Sequence, residues 1–102
     1  MAQIILYADA NFGGQHTHLF ETTPDLTQLY LACANGTPWD EVTWDDQVSS
    51  FVIVSGVWQF FRDANFKVQQ GDPRGFGPGL YRWVEAIGID NDSLSSVRLV
   101  RD

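Results

Sequence analysis

Short apolar runs separated by turn-forming residues make up most of this chain, a pattern that reads as strands. Residues 3–7 and 15–20 predict a hairpin around a loop at 8–14, and residues 50–55, with Phe51, Ile53 and Val54, predict a further strand. Residues 57–61, 67–70, 80–83 and 96–100 extend the series, and Gly56 joins the two halves almost without a linker. Strands this short and close-spaced fit an all-β sandwich of two four-stranded Greek keys. One stretch departs from the pattern. Thr23-Pro24-Asp25 has the form of a helix start, with Thr as cap and Pro at the first helical position, and Asn35-Gly36 has the form of a stop. Leu26, Leu29, Tyr30 and Cys33 would share one face, so a short helix covering one end of the sandwich is expected; the alternative is a third strand of the first key at 29–32.

The pattern is also repeated. Tyr7-Ala8-Asp9-Ala10-Asn11-Phe12-Gly13-Gly14 and Phe61-Arg62-Asp63-Ala64-Asn65-Phe66-Lys67-Val68 share an aromatic, the tetrad x-Asp-Ala-Asn and a second Phe. Asp45-Asp46-Gln47-Val48-Ser49-Ser50 and Asn91-Asp92-Ser93-Leu94-Ser95-Ser96 follow them as near-copies. The first pair lies 54 residues apart (61 − 7) and the second 46 apart (91 − 45), so the first unit is longer by eight. This is a duplication with one loop insertion, packed as two supersecondary units in one body.

The second pair carries the chemistry. Each phrase groups carboxylate, hydroxyl and carbonyl oxygens around a single apolar residue, the hard-donor set that calcium accepts at flexible geometry. Neither contains the His or Cys that softer metals prefer. Asp, Asn and Ser are also common turn formers, so one phrase alone would pass for a solvated turn. Its repetition favours two halves of a calcium site.

These residues resemble the βγ-crystallins, in particular the microbial calcium-binding type. The family's hairpin signature is an aromatic, four residues, an aromatic, one residue and Gly, met here by Tyr7, Phe12 and Gly14. Its calcium clamp, Asn/Asp, Asn/Asp, two variable residues, Ser/Thr and Ser, is met by both phrases. Gly77-Pro78-Gly79-Leu80-Tyr81 is similar to the segment before the family's tyrosine corner, so the resemblance spans nearly the whole chain. Val68 departs from it. The signature calls for Gly there, and a β-branched residue at φ > 0 is an outlier, so the second hairpin must be distorted or re-registered.

The resemblance implies a single domain over 1–102, with key one at about 1–55 and key two at about 56–102. It implies two calcium ions as cofactors, each taking a carboxylate from one clamp and a serine hydroxyl plus a backbone carbonyl from the other. Asp46, Ser49, Asp92 and Ser95 would supply side chains, Gln47 and Ser93 carbonyls, and Ala8 and Arg62 the hairpin carbonyls. Asp45 and Asn91 would shape the loops or act behind the ligands.

Composition agrees with one body. The chain has 102 residues, 44% of them hydrophobic and 14% aromatic, enough for one core and too few for two. No apolar run of about eighteen residues and no basic, then apolar N-terminus appears, so neither a membrane span nor a secretory signal is expected. Cys33 lacks an intrachain partner and is assigned to packing. A cytoplasmic setting is expected, with a metal-stabilised secreted protein the alternative.

Residues 1–61 hold seven acids and no Lys or Arg, while six acids balance six bases afterwards, so the net charge of −7 arises in the first half. Nucleic acid is an unsuitable partner without a basic stripe. Asp40, Glu41, Asp45 and Asp46 would repel one another unless a cation or water screens them.

Other chemistry is sparse. His16 and His18 fall on the same side of a strand and can share a zinc or nickel ion, but two ligands without a third favour an exposed strand pair. Trp39 and Trp44, flanked by acids, are the tryptophans expected to be exposed, while Trp58 and Trp83 belong with the core-filling aromatics. No paired acid and base or activated nucleophile is present, so no enzyme is expected. A monomer that binds two calcium ions is the leading reading. A protein-binding module, such as a protease inhibitor reaching through the 23–44 insertion, and a calcium-dependent carbohydrate or surface module using Trp39 or Trp44 are the alternatives.

Overall fold

The structure is a computed structural model and describes residues 2–28 and 44–102, with the side chain of Gln28 excluded. Seven strands are formed, β1 (Gln3–Asp9), β2 (Gly13–Leu19), β3 (Ser50–Ser55), β4 (Val57–Asp63), β5 (Lys67–Gln70), β6 (Gly79–Tyr81) and β7 (Ser96–Arg101). They build two antiparallel sheets, in the orders β2-β1-β3-β6 and β5-β4-β7. Alternation decides which side chains turn inward. Ile4, Leu6, Phe51 and Ile53 of the first sheet meet Trp58, Phe60 and Val97 of the second, all buried. Phe51 and Phe60 bridge the sheets with ring centroids 4.5 Å apart.

The two units exchange their third elements. β6, from the second unit, pairs with β3 of the first, Val52 opposite Leu80. Thr23, from the first unit, forms an antiparallel bridge with Val97 on β7 of the second. Each unit contributes to the other's edge, β6 as the fourth strand of the first sheet and Thr23 as a bridge on β7 of the second. Tyr81 pins the exchanged β6 as its hydroxyl donates to the Gly77 carbonyl oxygen at 2.7 Å, the tyrosine corner expected of this segment.

The helix expected from Thr23 is replaced, within the described residues, by a single 3-10 turn at Leu26–Gln28. Thr23 is occupied in the bridge to Val97, and Asp25 caps the turn instead, its Oδ1 accepting from the Thr27 N–H at 3.0 Å. The rest of that helix, the alternative strand at 29–32, Cys33 and Trp39 lie outside the described residues. Trp44 is not exposed as its acidic neighbours suggested. It is 1% exposed, seated in the core beneath the first clamp, because a ring of that size is worth more to a small core than its flanking charges are to a loop.

Both hairpins repeat the same turn. Asn11 and Phe12, and equally Asn65 and Phe66, take left-handed backbone angles, and each turn holds an edge-on aromatic pair, Tyr7–Phe12 at 5.6 Å and Phe61–Phe66 at 5.5 Å. They part at the signature glycine. Gly14 sits at φ 73°, and a Cβ there would lie 2.6 Å from Asp9 Oδ2, so the Asp9 side chain would have to move. Val68 takes the same left-handed region at φ 57°, a strained conformation for a β-branched residue. The ladder changes with it. β1 and β2 carry a bulge between Tyr7 and Asp9 that sets Tyr7 opposite His16, whereas Phe61 faces Gln69, one residue short of the equivalent position, 70 (16 + 54).

Val68 is 57% exposed, so its side chain adds little to the core. Val68→Gly should therefore stabilise the domain by about 1 kcal/mol, the strain relieved less the extra chain entropy of glycine when unfolded. Thermal unfolding of the two proteins in chelator would register the gain, and an unchanged or lower melting temperature would show that the position is not strained.

Candidate metal centre

The two clamps lie face to face and clasp each other through their backbones. Asp46 donates its N–H to the Leu94 carbonyl at 2.9 Å, and Asp92 donates its N–H to the Val48 carbonyl at 3.4 Å. Both aspartates reach across in the left-handed region, at φ 58° and 56°. Asp and Asn tolerate it better than most residues, which gives the second clamp position a conformational reason for its residue type as well as a charge.

The serines anchor this clasp from behind. Ser49 N–H donates to the Tyr7 carbonyl at 3.0 Å and Ser95 N–H to the Phe61 carbonyl at 2.9 Å. In return the Ser49 carbonyl accepts from Val84 N–H, and the Ser95 carbonyl from Leu26 N–H. The final serines lock the hairpins. Ser50 Oγ donates to the Asp9 carbonyl at 2.6 Å and accepts from Phe12 N–H, and Ser96 Oγ repeats this with the Asp63 carbonyl at 2.7 Å and Phe66 N–H. Ala8 and Arg62 therefore stand between two residues whose carbonyls the clamps hold. Matching bonds from Asn11 N–H to the Arg82 carbonyl and from Asn65 N–H to the Pro24 carbonyl complete a pseudo-twofold arrangement.

The side chains expected as ligands meet across this axis. Ser49 Oγ donates to Asp92 Oδ1 at 3.1 Å, joining a hydroxyl of one clamp to a carboxylate of the other. The equivalent bond from Ser95 to Asp46 is not made, and Ser95 is buried beside an exposed Asp46. Gln47 lies one residue before the apolar Val48 and is partly buried, its N–H bonded to the Trp44 carbonyl. Ser93 is held in the second loop, where its hydroxyl donates to the Asp90 carbonyl and accepts from Gln70 Nε2, both at 2.7 Å. The Arg62 side chain pairs with Asp90, which turns its cation to that loop's own carboxylate.

Several supports had no sequence signature. Gln70, a buried strand-end residue, grips the second clamp through Ser93 and the Asp90 N–H, and Glu85 accepts from the Asn91 N–H. Asp63, part of the hairpin tetrad, also acts on Asp46 through its charge. Partial burial, then the charges of Asp45, Asp92 and Asp63, push the Asp46 carboxyl above its ordinary 3.8. Crowded like charges of this kind are what a bound cation relieves.

The donor set fits a hard cation. Carboxylates, hydroxyls and amide carbonyls line the clasp, with no imidazole or thiol in either clamp. Among the described residues no three His, Cys, Asp or Glu side chains converge, so an ion held here takes part of its shell from hydroxyls and carbonyls. Two buried atoms lack a hydrogen-bond partner among the described residues: Asp45 Oδ1 and Asn91 Oδ1, the first positions of the two clamps. An unpaired buried oxygen is costly, and it occurs at the first position of both clamps.

A sandwich of two strand-exchanging Greek keys, clasped by reciprocal Asp-Ser loops, is of the βγ-crystallin kind. The chain belongs to the Beta/Gamma crystallin family, whose sequence profile matches residues 3–100. It is 33% identical over 98 residues to a beta/gamma-crystallin of Ciona intestinalis, covering 96% of this chain and 98% of that protein. A βγ-crystallin from an archaeon superimposes with a TM-score of 0.73 at 29% identity, covering 97% of this chain and 98% of the other. A transition-metal-ion-binding βγ-crystallin from Methanosaeta thermophila does so with a TM-score of 0.68 at 30% identity, over 94% and 98% of the two chains.

The raised carboxyl at Asp46 gives a signed expectation. Its folded state holds a proton to higher pH than its unfolded state, so the stability it contributes is present below 3.8 and lost as pH rises through the raised value. In chelator, Asp46→Asn should exceed the parent in stability at neutral pH by about 0.5 kcal/mol, a small figure because the group is exposed and screened. The electrostatic part of that gap should close below pH 3.8, a trend that unfolding midpoints across the acid range would trace.

Proposed function

We propose that the paired clamps bind two calcium ions, and that this non-enzymatic domain is stabilised by them. One ion would be held by Ser49 and Asp92 with the carbonyls of Gln47 and Ala8. The other would be held by Ser95 and Asp46 with the carbonyls of Ser93 and Arg62. The Ser49 to Asp92 hydrogen bond carries this reading, since it brings a hydroxyl of one clamp and a carboxylate of the other together before any ion is added. The two orphaned oxygens and the mutual repulsion at Asp46 support it. Metal binding is described for the Methanosaeta thermophila relative, in that case of transition metals.

When bound, the ion supplies two positive charges between clamps whose carboxylates otherwise repel. The chain's part is to preorganise the donors. The left-handed aspartates and the serines pinned through both N–H and carbonyl fix each loop, so little conformational entropy is lost on binding. Because each set draws on both units, an ion would tie them together where their strands already cross. At free calcium about a hundred times the dissociation constant, the gain is about 2.7 kcal/mol per independent site, a large share of a small domain's stability.

The alternatives lack comparable support. Burial of Trp44 removes one of the two rings proposed for a carbohydrate or surface module, and the inhibitor reading rests on the insertion, most of which lies outside the described residues.

Calorimetric titration of the chelator-treated protein should count two calcium ions, with a raised melting temperature. Asp46→Ala and Asp92→Ala should each remove or greatly weaken one of them. A stoichiometry left unchanged in both variants would refute the ligand assignment.

A further inference from the structure

We propose, resting on the two-ion reading, that Gln70 and Asp90 form a positioning brace for one ion only, the one assigned to Ser95 and Asp46. The brace joins the two residues whose backbone carbonyls that ion would use, Ser93 and Arg62, so the two calcium sites are held in shape by different means.

The brace is a closed ring of hydrogen bonds. Gln70 ends β5 opposite Phe60 and is 8% exposed, so its amide is nearly withdrawn from water. Its Oε1 accepts from the Asp90 N–H at 3.0 Å, and its Nε2 donates to Ser93 Oγ at 2.7 Å. Ser93 Oγ closes the ring by donating to the Asp90 carbonyl at 2.7 Å. A backbone N–H can only donate, which fixes the end of the Gln70 amide that faces it. Outside the ring, the Asp90 carboxylate pairs with the Arg62 guanidinium. Asp90 is itself anchored, because the preceding Ile89 is buried in the core and donates its N–H to the Val84 carbonyl at 3.1 Å.

The first unit cannot build the same device. By the clamp offset of 46, position 90 corresponds to 44 (90 − 46), where Trp44 is buried in the core. By the hairpin offset of 54, position 62 corresponds to 8 (62 − 54), where Ala8 carries only a methyl group. The set containing Ser49 and Asp92 has its own support, since those two side chains already meet at 3.1 Å. One site is therefore prealigned at its side chains and the other at its carbonyls.

Rigidity of this kind acts on affinity. Calcium sites are tuned by the stiffness of the loop as well as by ligand charge, and donors fixed before binding lose less entropy when the ion arrives. The two parts of the brace are unequal. The Arg62 and Asp90 side chains are 48% and 64% exposed, and an ion pair so open to water contributes little alone. The buried amide of Gln70 therefore carries most of the effect.

The test is calorimetric titration of the full chain and its variants with Ca²⁺, using Asp46→Ala and Asp92→Ala to identify which ion is which. Gln70→Ala should weaken the Asp46 ion about tenfold or more and leave the Asp92 ion unchanged. Ser93→Ala keeps the backbone carbonyl and removes only the hydroxyl link, so it should weaken the same ion, and it decides the matter should Gln70→Ala not fold. The double variant should bind no more weakly than the weaker single one, because opening the ring at either bond disables it. Asp90→Ala should weaken that ion less than Gln70→Ala does. A Gln70 that only supported the fold would lower the melting temperature in chelator and move both ions alike or neither. Two ions in the parent with unchanged affinities in the variants, equal weakening of both ions, or additive losses in the double variant would overturn the brace and leave the calcium reading standing. A parent that binds no calcium would overturn both.

Discussion

The structure depends on a reciprocal clasp, in which each clamp aspartate gives its backbone N–H to the opposite clamp while its own backbone is held in the left-handed region. Two short loops meeting in this way satisfy each other's polar groups at the seam between units, where unpaired N–H and carbonyl groups would be costly. The exchange of third elements has the same logic on a larger scale. β6 completes the first sheet and Thr23 extends the second, so separating the units would expose two edges and the core between them. The repeated phrases of the sequence are thus joined by sheets that draw on both units.

Symmetry at the clasp is close but incomplete, and the differences fall on the second unit. Its hairpin tolerates a strained Val68 and omits the bulge opposite Phe61, and its clamp is braced by Gln70 and Glu85. Counting from matched contacts, Pro24 pairs in role with Arg82 and Leu26 with Val84, an offset of 58 (82 − 24 and 84 − 26). The hairpin offset is 54 and the clamp offset 46, so the second unit is four residues longer before its third element and the first is twelve longer after it. The net difference of eight conceals two changes of opposite sign.

Charge and conformation act together at Asp46 and Asp92. A left-handed backbone, even one that Asp tolerates better than most residues, and crowding by other carboxylates are both costs to stability. Both costs fall where the chain gathers hydroxyl and carbonyl oxygens, as is usual where local rules are broken at functional positions. Asp45 and Asn91 extend the same point, since each keeps a buried oxygen with no hydrogen-bond partner among the described residues.

How much of this was legible in the chain follows from the range of the interactions. Strand positions, the hairpin turns and the tyrosine corner are set by neighbouring residues, so their residue types sufficed to place them, and the two clamp phrases stood out by repetition. Tyr7, Phe12 and Gly14 act within one turn, whereas Ser49 and Ser50 bond to the distant Tyr7 and Asp9 carbonyls, so their phrase was legible through its repetition and residue types alone. The sequence by itself therefore determined a duplicated, all-β architecture with oxygen-rich loops. Only the tertiary structure decided that Ser49 reaches Asp92 while Ser95 does not reach Asp46, that Thr23 bridges to Val97 rather than capping a helix, and that Trp44 is buried despite its acidic neighbours. It also decided the spacing of the His16 and His18 rings, which alternation places on one side but cannot set in ångströms. Each of these depends on contacts between residues far apart in the chain or on the packing of rings, which chain closure and core volume decide and local pattern does not encode.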